Sequence, residues 1–377
     1  MKDAFAIIYA DQGDARLREL IEVRSVSALP VGGRYRAIDF VLSNVARSGI
    51  RSVGIIAQRN YKSLMDHLGS GKDWNLSRKQ GGLMILPPYD LGNENGLYRG
   101  FGDALFAKRD FIDHQKQPLA LLLGSGRIYR QDYGALAAHH RESGADITLL
   151  YSRDPKLAAD ERHSFGLDID KEGRVRAAGG ANACECHSMG ACLISKNLLV
   201  RLVEDACAEG RYDFGRDVLV PAVDQLKVVG VEHRGYVGQL DSVKAYFDVN
   251  MDIANSAEVR ADLFDPAWAP YTKVMDAAPV HFSATSAVAN SMFGNGSEIR
   301  GTVRDSVVFR GVTVEEGADV ERCIVMQNSV LGRGCHLRNV IVDKDAVVGE
   351  GARIVGTPDN PQVVRKGAVV DGRTRGR

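Results

Sequence analysis

The chain has 377 residues, of which 45% are apolar and 25% charged, and its 48 basic and 48 acidic side chains give a formal net charge of zero. This composition is that of a soluble protein with room for two domains, and it excludes binding to nucleic acid or to an anionic membrane through overall charge. No apolar run approaches the roughly 20 residues that cross a bilayer, and six cysteines are too few for a disulfide framework. We therefore expect a cytoplasmic protein with reduced thiols.

Strands and helices alternate along the first two-thirds of the chain. Short apolar runs rich in β-branched residues predict strands at 5–9, 52–57, 120–123 and 147–152. Helical patterns between them predict helices at 39–48, 103–114 and 133–143. Such alternation is typical of an α/β fold with a parallel or mixed sheet, whose ligand site lies at the carboxyl ends of its strands.

A different pattern follows a proline-containing segment at 256–286. Beyond residue 287 a six-residue repeat begins, with His336 as its single polar break, in which the apolar positions are Val312, Ala318, Ile324, Val330, Val342, Val348 and Ile354. Hexapeptide repeats are typical of a β-helix of three-stranded coils; an antiparallel, strand-rich domain is the alternative. We predict an α/β domain at 1–255, a linker at 256–286 and a β-helix at 287–377. The open edges of the β-helix predict an assembly surface.

Several short motifs carry a resemblance to one enzyme family. The chain reads VGGRYRAIDFVLSN at 31–44, LPPY at 86–89, YRGFGDA at 98–104, SMG at 188–190 and DFG at 213–215. In this order, and followed by hexapeptide repeats, they resemble the glucose-1-phosphate adenylyltransferases, also called ADP-glucose pyrophosphorylases. The resemblance implies a nucleotidyltransferase domain with a Rossmann-like mixed sheet, followed by a left-handed parallel β-helix.

The resemblance also implies a reaction. Family members transfer an adenylyl group from ATP to glucose 1-phosphate and release diphosphate, in glycogen biosynthesis. Catalysis of such a transfer consists largely of positioning and of neutralising negative charge. The family binds the triphosphate with a glycine-rich LAGGxGxRL loop and a following lysine. It holds Mg²⁺ with one aspartate in GDHIY and another in GYWxDVGT.

The triphosphate loop of this chain departs from that pattern. Asp11, Gln12 and Asp14 stand at the three glycine positions, Arg16 is retained, and Val26 stands at the lysine position. Glycine permits the close approach of backbone N–H groups to phosphate. Two aspartates instead bring negative charge toward a triphosphate, and one like-charge pair at about 4 Å costs on the order of 1–4 kcal/mol.

The metal positions are also changed, to Gly126 and Gln239. We therefore expect no bound metal, no catalytic residues of its own and a regulatory role. The chain resembles the D-type subunit of bacterial glycogen synthesis, which implies a hetero-oligomer, expected to be a tetramer, with a catalytic homologous subunit. The alternative is an active adenylyltransferase in which Asp11 or Asp14 holds Mg²⁺.

The sugar-phosphate side of the site is better retained. Tyr98, Gly166 and Ser188 match the residues that line the glucose-1-phosphate pocket in the family. The family's EKP motif, which supplies the main cation for the phosphate, falls near residues 180–182, where the chain reads GAN. Residual binding of a sugar phosphate stays open.

Arginines crowd into the segment after the triphosphate loop, at Arg34, Arg36, Arg47 and Arg51. Family members are regulated by anionic metabolites, and the resemblance implies that a sugar-phosphate effector binds in this region. If the helix at 39–48 continued past Gly49, Arg47 and Arg51 would share one face. The alternative is a solvated basic surface.

Several other motifs have more than one interpretation. Asp103 fits a helix N-cap as well as a ligand contact, and the DFG at 213–215 fits a loop staple equally well. The CECH at 184–187 lacks the second ligand pair of a zinc knuckle. An acyltransferase built on the hexapeptide domain would need a catalytic histidine and long coil insertions; His336 is the only histidine inside the repeat, and we reject that function.

Overall fold

The computed structural model describes residues 1–10, 15–88, 97–159, 164–180 and 184–371. The chain forms two compact units. The first comprises Met1–Gln12, Ser25–Ser27 and Ile38–Gln239, and the second comprises Gly13–Arg24, Ala28–Ala37 and Leu240–Arg377. The second unit thus takes in three segments that lie within the predicted α/β domain, at 13–24, 28–37 and 240–255.

The elements before residue 264 are strands, α-helices and a few short turns of other helix types. The strands are β1 (Ala4–Tyr9), β2 (Pro30–Val31), β3 (Tyr35–Arg36), β4 (Ser52–Ile56), β5 (Gly82–Leu86), β6 (Leu119–Gly124), β7 (Arg127–Ile128), β8 (Ile147–Ser152), β9 (Gly166–Ile169), β10 (Val175–Gly179), β11 (Cys186–Ser195), β12 (Val228–Glu232) and β13 (Gly238–Gln239). The α-helices are α1 (Ala37–Arg47), α2 (Lys62–Leu68), α3 (Phe101–Ala107), α4 (Arg109–Asp113), α5 (Tyr133–Ser143), α6 (Lys196–Ala208), α7 (Val220–Ala222), α8 (Val243–Asn255) and α9 (Ala257–Leu263). The 3₁₀ turns are Ala15–Ile21, Val26–Ala28, Lys72–Trp74 and Pro155–Ala159, and Phe214–Leu219 is a π-helical turn.

The first unit is built on a nine-stranded mixed sheet. Its order is β10-β9-β11-β6-β1-β4-β5, and β8 lies between β11 and β12. β1 runs parallel to β4 and β6, whereas β11 runs antiparallel to β6 and β8. Every residue of β1 and of β8 is buried, as expected of strands covered on both faces. The predicted mixed α/β sheet is confirmed.

Most predicted elements of the first unit appear with small changes of bounds. The strand at 147–152 and the helix at 133–143 have the bounds that the sequence predicts. The predicted helix at 103–114 is instead two helices, α3 and α4. They are separated at Lys108, whose φ of −104° and ψ of 24° lie outside the helical region.

The second unit contains the β-helix. Its strands are β14 (His281–Phe282), β15 (Ala287–Ala289), β16 (Met292–Phe293), β17 (Glu298–Ile299), β18 (Thr302–Arg304), β19 (Val307–Val308), β20 (Thr313–Val314), β21 (Asp319–Glu321), β22 (Ile324–Val325), β23 (Val330–Leu331), β24 (His336–Arg338), β25 (Val340–Val342), β26 (Val347–Val348), β27 (Arg353–Val355), β28 (Gln362–Val364) and β29 (Val369–Val370). They form three parallel sheets, because each strand pairs with the third strand after it in the chain. Examples are β14-β17-β20 in one sheet and β22-β25-β28 in another. The antiparallel alternative is therefore wrong, and the hexapeptide β-helix is confirmed.

The repeat of the β-helix differs from the register read in the sequence. The ladder from Ile299 to Val314 and then to Leu331 shows coils that repeat after 15 or 17 residues, whereas three strict hexads would need 18. The inward position therefore slips along the chain. Leu337 is fully buried and His336 lies on the outer face, so the predicted polar break at His336 is wrong.

The segment at 256–286 is more regular than predicted, because it contains α9 and the first strand of the β-helix, β14. The predicted division at 255 and 286 stays a prediction. No helix in the described part of the chain is long and apolar enough to cross a membrane.

Candidate functional site

A cavity of about 320 Å³ opens at the edge of the main sheet, within the first unit. Tyr9 and Gly124, the last residues of the parallel strands β1 and β6, pair with each other and line it. Ser188 and Gly190 line it from the first half of β11, which runs in the opposite direction. The cavity therefore lies where the fold predicts a ligand site, at the carboxyl ends of parallel strands. Its volume is at the lower end for small-molecule pockets.

Aromatic side chains form one wall of this cavity. The rings of Tyr9 and Phe101 stack with centroids 4.8 Å apart and an interplanar angle of 16°. Phe101 also meets Phe214 edge to face at 5.9 Å. Such pairs are favourable beyond the area that they bury. The wall is thus preformed from aromatic rings that pack on one another.

Polar groups of the cavity come from serines and from the DFG segment. Ser164 Oγ donates to the carbonyl of Ser188 over 2.9 Å, and the N–H of Gly190 donates to Ser188 Oγ over 3.3 Å. Asp213 Oδ1 accepts the backbone N–H of Arg216 over 3.0 Å. Asp213 therefore caps the π-helical turn Phe214–Leu219, which supports the loop-staple interpretation of this motif.

Of the three residues predicted for the sugar-phosphate pocket, Ser188 lines the cavity. Tyr98 is 5% exposed in the core, donates its backbone N–H to Gln58 over 2.7 Å and is not among the described lining residues. Gly166 is also outside that set; a Cβ there would lie 2.8 Å from Cys184 Sγ, so only glycine fits. A ligand role for Tyr98 and Gly166 stays a prediction.

Asp103 has a structural role. It is the third residue of α3, and not its N-cap as one interpretation had it, because Gly100 holds that position. Its carboxylate accepts the guanidinium of Arg99 over 2.8 Å and the backbone N–H of Arg99 over 2.9 Å. Burial raises the pKa of Asp103, but these bonds outweigh burial and hold the pKa below its ordinary value.

The predicted triphosphate loop is described only at its two ends, because Asp11, Gln12 and Asp14 lie outside the described residues. In the second unit, Arg16 Nη2 donates to Asp241 Oδ2 over 3.1 Å. In the first unit, Val26 is 2% exposed, so the lysine position holds a buried apolar side chain. A valine at that position supplies no cation to a phosphate group.

A buried serine pair, which sequence reasoning missed, lies next to Val26. Ser27 Oγ lies 2.8 Å from the carbonyl oxygen of Ala10 and 2.6 Å from Ser125 Oγ. Ser125 Oγ in turn lies 3.2 Å from the carbonyl oxygen of Tyr9. These bonds join the end of β1 to the turn before Gly126. The two serines are far apart in sequence, so no local pattern predicts the pair.

The two positions that we predict to have lost their metal-binding aspartates lie side by side. Gln239 pairs with Arg127 across the antiparallel strands β7 and β13, and Gly126 directly precedes Arg127. Arg127 is 4% exposed, and a guanidinium is a permanent cation. Within the described residues, the buried Nε2 of Gln239 has no hydrogen-bond acceptor.

These residues do not fit Mg²⁺. The ion prefers carboxylate and phosphate oxygens, whereas the positions here supply a glycine, an amide and a neighbouring guanidinium. Across the described ranges, no three His, Cys, Asp or Glu side chains are grouped so as to hold a metal ion. The structure therefore offers no metal-assisted chemistry at the two family positions.

Comparisons with known proteins agree with this fold. A model of the nucleotidyl transferase family matches residues 7–256, and a model described as GlmU-like, C-terminal hexapeptide matches residues 276–367. The glucose-1-phosphate adenylyltransferase of Bacillus mycoides is 31% identical over 356 residues, which are 93% of this chain and 94% of that protein. The glucose-1-phosphate adenylyltransferase of Fervidobacterium nodosum is 29% identical over 360 residues, 94% of this chain and 86% of that one. The chain belongs to the glucose-1-phosphate adenylyltransferase family.

The arginines predicted for an effector site in this adenylyltransferase-family chain are divided between the units: Arg34 and Arg36 lie in the second, and Arg47 and Arg51 in the first. Helix α1 ends at Arg47, and Gly49 with its φ of 83° prevents continuation. Arg51 instead donates to the carbonyl of Ala46 over 3.1 Å, at the end of α1. The prediction that Arg47 and Arg51 share one helical face is therefore wrong.

Arg36 belongs to a group of cations in the second unit, which we call the basic cluster: Arg24, Arg36, Lys344 and Lys366. Arg24 is buried and bonds Asp343 over 2.8 Å. Burial, together with the nearby charges of Arg36 and Arg24, lowers the pKa of Lys344 to about 7. Lys366 adds to the same repulsion. Sequence reasoning missed Arg24 and Lys344, because only the fold brings them together.

Proposed function

We propose that the chain is a regulatory, catalytically impaired subunit of a glucose-1-phosphate adenylyltransferase, which modulates a catalytic homologous subunit in glycogen biosynthesis. The observation that carries this proposal is the pairing of Gln239 with the buried Arg127, next to Gly126. Adenylyl transfer requires cations that neutralise the triphosphate and the departing diphosphate. The metal-holding carboxylates that would bring Mg²⁺ are replaced.

The lysine position supports the same proposal. Val26 is buried, and Ser27 beside it is bonded to Ser125 and to the backbone of β1. The segment is thus packed as core structure and not as a phosphate cradle. The described residues nevertheless form a nine-stranded main sheet and the three parallel sheets of a β-helix. A chain that has this fold but lacks the reactive groups is suited to act as a subunit through assembly and ligand binding.

The alternative is an active adenylyltransferase with a divergent site. Asp11 or Asp14 would then hold Mg²⁺, and both lie outside the described residues. This alternative has to supply a substitute for the lysine as well, since Val26 carries no charge. We therefore favour the regulatory function.

The partner we propose is a catalytic homologue in a hetero-oligomer, with a tetramer as the expected form. The first coil of the β-helix exposes apolar side chains: Phe282 and Val288, which pair with the buried Ile299 and Val303, are 44% and 46% exposed. Apolar groups at open edges of strands favour coverage by another chain. This exposure supports assembly through the β-helix.

The effector we propose is a sugar phosphate bound at the basic cluster. Four cations gather there, with Asp343 paired to Arg24; burial lowers the pKa of Lys344 most, and repulsion by Arg36 and Arg24 lowers it further. A phosphate dianion would relieve this repulsion, and arginines bind phosphate through two parallel hydrogen bonds. Among the four arginines named from the sequence, Arg36 is the one with support from these contacts; effector roles for Arg34, Arg47 and Arg51 stay predictions.

The decisive experiment compares three samples: the purified chain, a catalytic homologue and their mixture. With ATP, glucose 1-phosphate and Mg²⁺, we expect negligible formation of ADP-glucose by the chain alone. The mixture should differ from the homologue in its response to sugar-phosphate effectors. A turnover above about 1 s⁻¹ for the chain alone, the low end for ordinary enzymes, would instead establish the alternative.

A further inference from the structure

One corner of the β-helix carries a lysine whose amine has no bonding partner. Lys344 follows β25 and is partly buried. Within the described residues, its Nζ makes no hydrogen bond and no ion pair. The adjacent carboxylate oxygen, Asp343 Oδ1, instead accepts Arg24 over 2.8 Å and the backbone N–H of Lys344 over 2.6 Å. The amine is therefore left without an acceptor.

The lysine belongs to a column of side chains at this corner, which we call the corner column: Gln327, Lys344 and Lys366, one from each of three successive coils. The N–H of Asp345 donates to the carbonyl of Gln327 over 3.0 Å, and that of Gly367 donates to the carbonyl of Lys344 over 2.9 Å. Bonds of this parallel type place successive residues of the column about 4.8 Å apart. Gln327 Oε1 is buried and has no donor among the described residues. An amine without an acceptor thus stands next to an amide oxygen without a donor.

Positive charge surrounds the amine. Arg24 and Arg36 approach it from segments that precede the β-helix in the chain, Lys366 stands in the next coil, and Asp343 is the opposing carboxylate. Protonation of Lys344 would add a further positive charge to this group at a partly buried place. Burial first, and then these cations, lower the pKa of Lys344 to about 7. A large share of the lysine is therefore the free amine at neutral pH.

The free amine has a chemistry that an ammonium lacks, because its lone pair makes it a nucleophile. Carbon dioxide is small and uncharged, so it reaches a partly buried amine without the cost of desolvating an ion. Its adduct with an amine is a carbamate, which carries a negative charge on two oxygens. The charges of Arg36 and Lys366 attract such an anion, and the carbamate N–H is a donor for Gln327 Oε1. A carbamate therefore supplies the groups that the corner column lacks.

We propose that Lys344 is a site of reversible carbamylation by carbon dioxide. The lone pair of Nζ forms a C–N bond to the carbon of CO₂, one C–O π pair moves onto an oxygen, and one proton leaves Nζ for the solvent. The step needs no oxidant and no reductant. The inference goes beyond the proposed function, since it concerns this chain without a catalytic partner. A carbamate brings negative charge into the basic cluster and so opposes the binding of another anion there.

The test traps the carbamate on the full chain. The chain is equilibrated with ¹³C-labelled bicarbonate as the source of CO₂ and then treated with a triethyloxonium salt, which converts a carbamate into a stable ethyl ester. After digestion, mass spectrometry shows which lysine carries the label. We expect it on Lys344, with an occupancy that rises with the concentration of CO₂. Lys244 is the internal control and should stay unlabelled, because its hydrogen bond of 2.6 Å to Asp248 raises its pKa and keeps it protonated.

The variant Arg36→Met tests the part that the neighbouring charges play. With one cation removed, the amine is protonated more readily and the carbamate is stabilised less, so the occupancy at a given concentration of CO₂ should fall about threefold or more. Arg333→Met is the matched control, since it removes an exposed arginine of the same unit outside the basic cluster and should leave the occupancy unchanged. Thermal unfolding shows whether each variant is folded.

Three results would overturn the proposal. Absence of the label from Lys344 at saturating CO₂ would mean that the amine does not react, even if bicarbonate is held there as an ion. Equal labelling of Lys244 would show unselective chemistry and no site. An unchanged occupancy in Arg36→Met would contradict stabilisation by the surrounding cations. The regulatory function is tested separately, because turnover with ATP would contradict that function and leave the label on Lys344 readable.

Discussion

At the residue scale, the charge of Arg127 limits which ligands the two family metal positions can bind. Arg127 brings a permanent positive charge to the strand pair β7–β13, where metal binding needs carboxylates. Because its side chain is almost wholly buried, solvent screens this charge only weakly. A carboxylate introduced beside Arg127 would therefore pair with the guanidinium before it could bind Mg²⁺.

This leads to a prediction for the double variant Gly126→Asp with Gln239→Asp. We expect it to stay inactive, with a turnover below about 1 s⁻¹, because Arg127 neutralises the new carboxylates and Val26 still supplies no cation. Formation of ADP-glucose and calorimetric binding of Mg²⁺ are the measurements.

A triple variant that adds Arg127→His is the control for this explanation. With the guanidinium removed, the same two aspartates should bind Mg²⁺ detectably, whereas the double variant should not. Full activity in the double variant would show that Arg127 does not govern the site.

Lys344 gives a second prediction at this scale, which concerns pH. Burial first, and then Arg36 and Arg24, lower the pKa of Lys344 to about 7, so the lysine is protonated at pH 6 and largely neutral at pH 8.5. Asp343 and Lys366 also act on it. An anion at the basic cluster binds the protonated form better. Sulfate, which keeps its charge of −2 throughout this range, should therefore bind about tenfold or more weakly at pH 8.5 than at pH 6.

The variant Lys344→Met should bind sulfate weakly at both pH values and show little pH dependence. Arg333→Ala is the matched control: Arg333 is an exposed residue of the same unit that lies outside the basic cluster, and its variant should keep the profile of the wild type. A flat profile in the wild-type chain would mean that Lys344 does not take part in anion binding.

At the element scale, sequence patterns predict strands and helices that follow one periodicity from end to end. Strand β8 is a single buried apolar run and α5 begins at the Asp132 cap and ends at Gly144, so their bounds are readable. Helix α1 ends before Arg51 because Gly49 interrupts it. Local sequence patterns do not predict the pairing of Arg24 with Asp343, since it depends on the arrangement of segments that are distant in the chain.

The β-helix shows where a regular pattern misleads. Coils of 15 and 17 residues shift the inward position by one or more residues from a strict hexad. Each inward residue packs on its equivalents in the neighbouring coils, as Val303, Val320 and Leu337 do, all fully buried. Arginines and acids alternate outside, and Arg338 meets Glu321 at 3.1 Å. The sequence thus predicts the architecture, and packing sets the register.

A pair of substitutions in β24 distinguishes the two registers. Leu337→Ala removes a buried side chain and leaves a cavity between coils, so it should lower the free energy of unfolding by about 2–5 kcal/mol. His336→Ala removes a partly exposed side chain, whose Nδ1 lies 3.2 Å from Asp319 Oδ2, and should cost less than about 1 kcal/mol. Urea unfolding of both variants is the measurement. A larger cost for His336→Ala would restore the hexad register read from the sequence.

At the scale of the whole molecule, β14 and β15 are the first strands of their sheets, and no other strand of the described residues pairs with their outer edges. In β15, Val288 pairs with the buried Val303 and so continues the inward column, yet it is 46% exposed. Its neighbour Ala289 pairs with Arg304 and continues the outer column. An inward residue without a covering coil loses the burial that stabilises its equivalents. A partner chain that covers this end would restore it.

The last prediction tests this end as an assembly surface. Val288→Glu places a charge in the apolar column, where burial against a partner would be costly, so we expect it to prevent or weaken the hetero-oligomer with a catalytic homologue. Ala289→Glu is the matched control, because it adds the same charge one residue away on the outer column, where charged side chains already stand. Native mass spectrometry and size-exclusion chromatography of mixtures at micromolar concentration measure the assembly, and thermal unfolding shows whether each variant is folded.

If Val288→Glu assembled as well as Ala289→Glu, the interface would lie elsewhere on the chain. If the wild-type chain eluted separately from the homologue, the hetero-oligomer itself would be refuted.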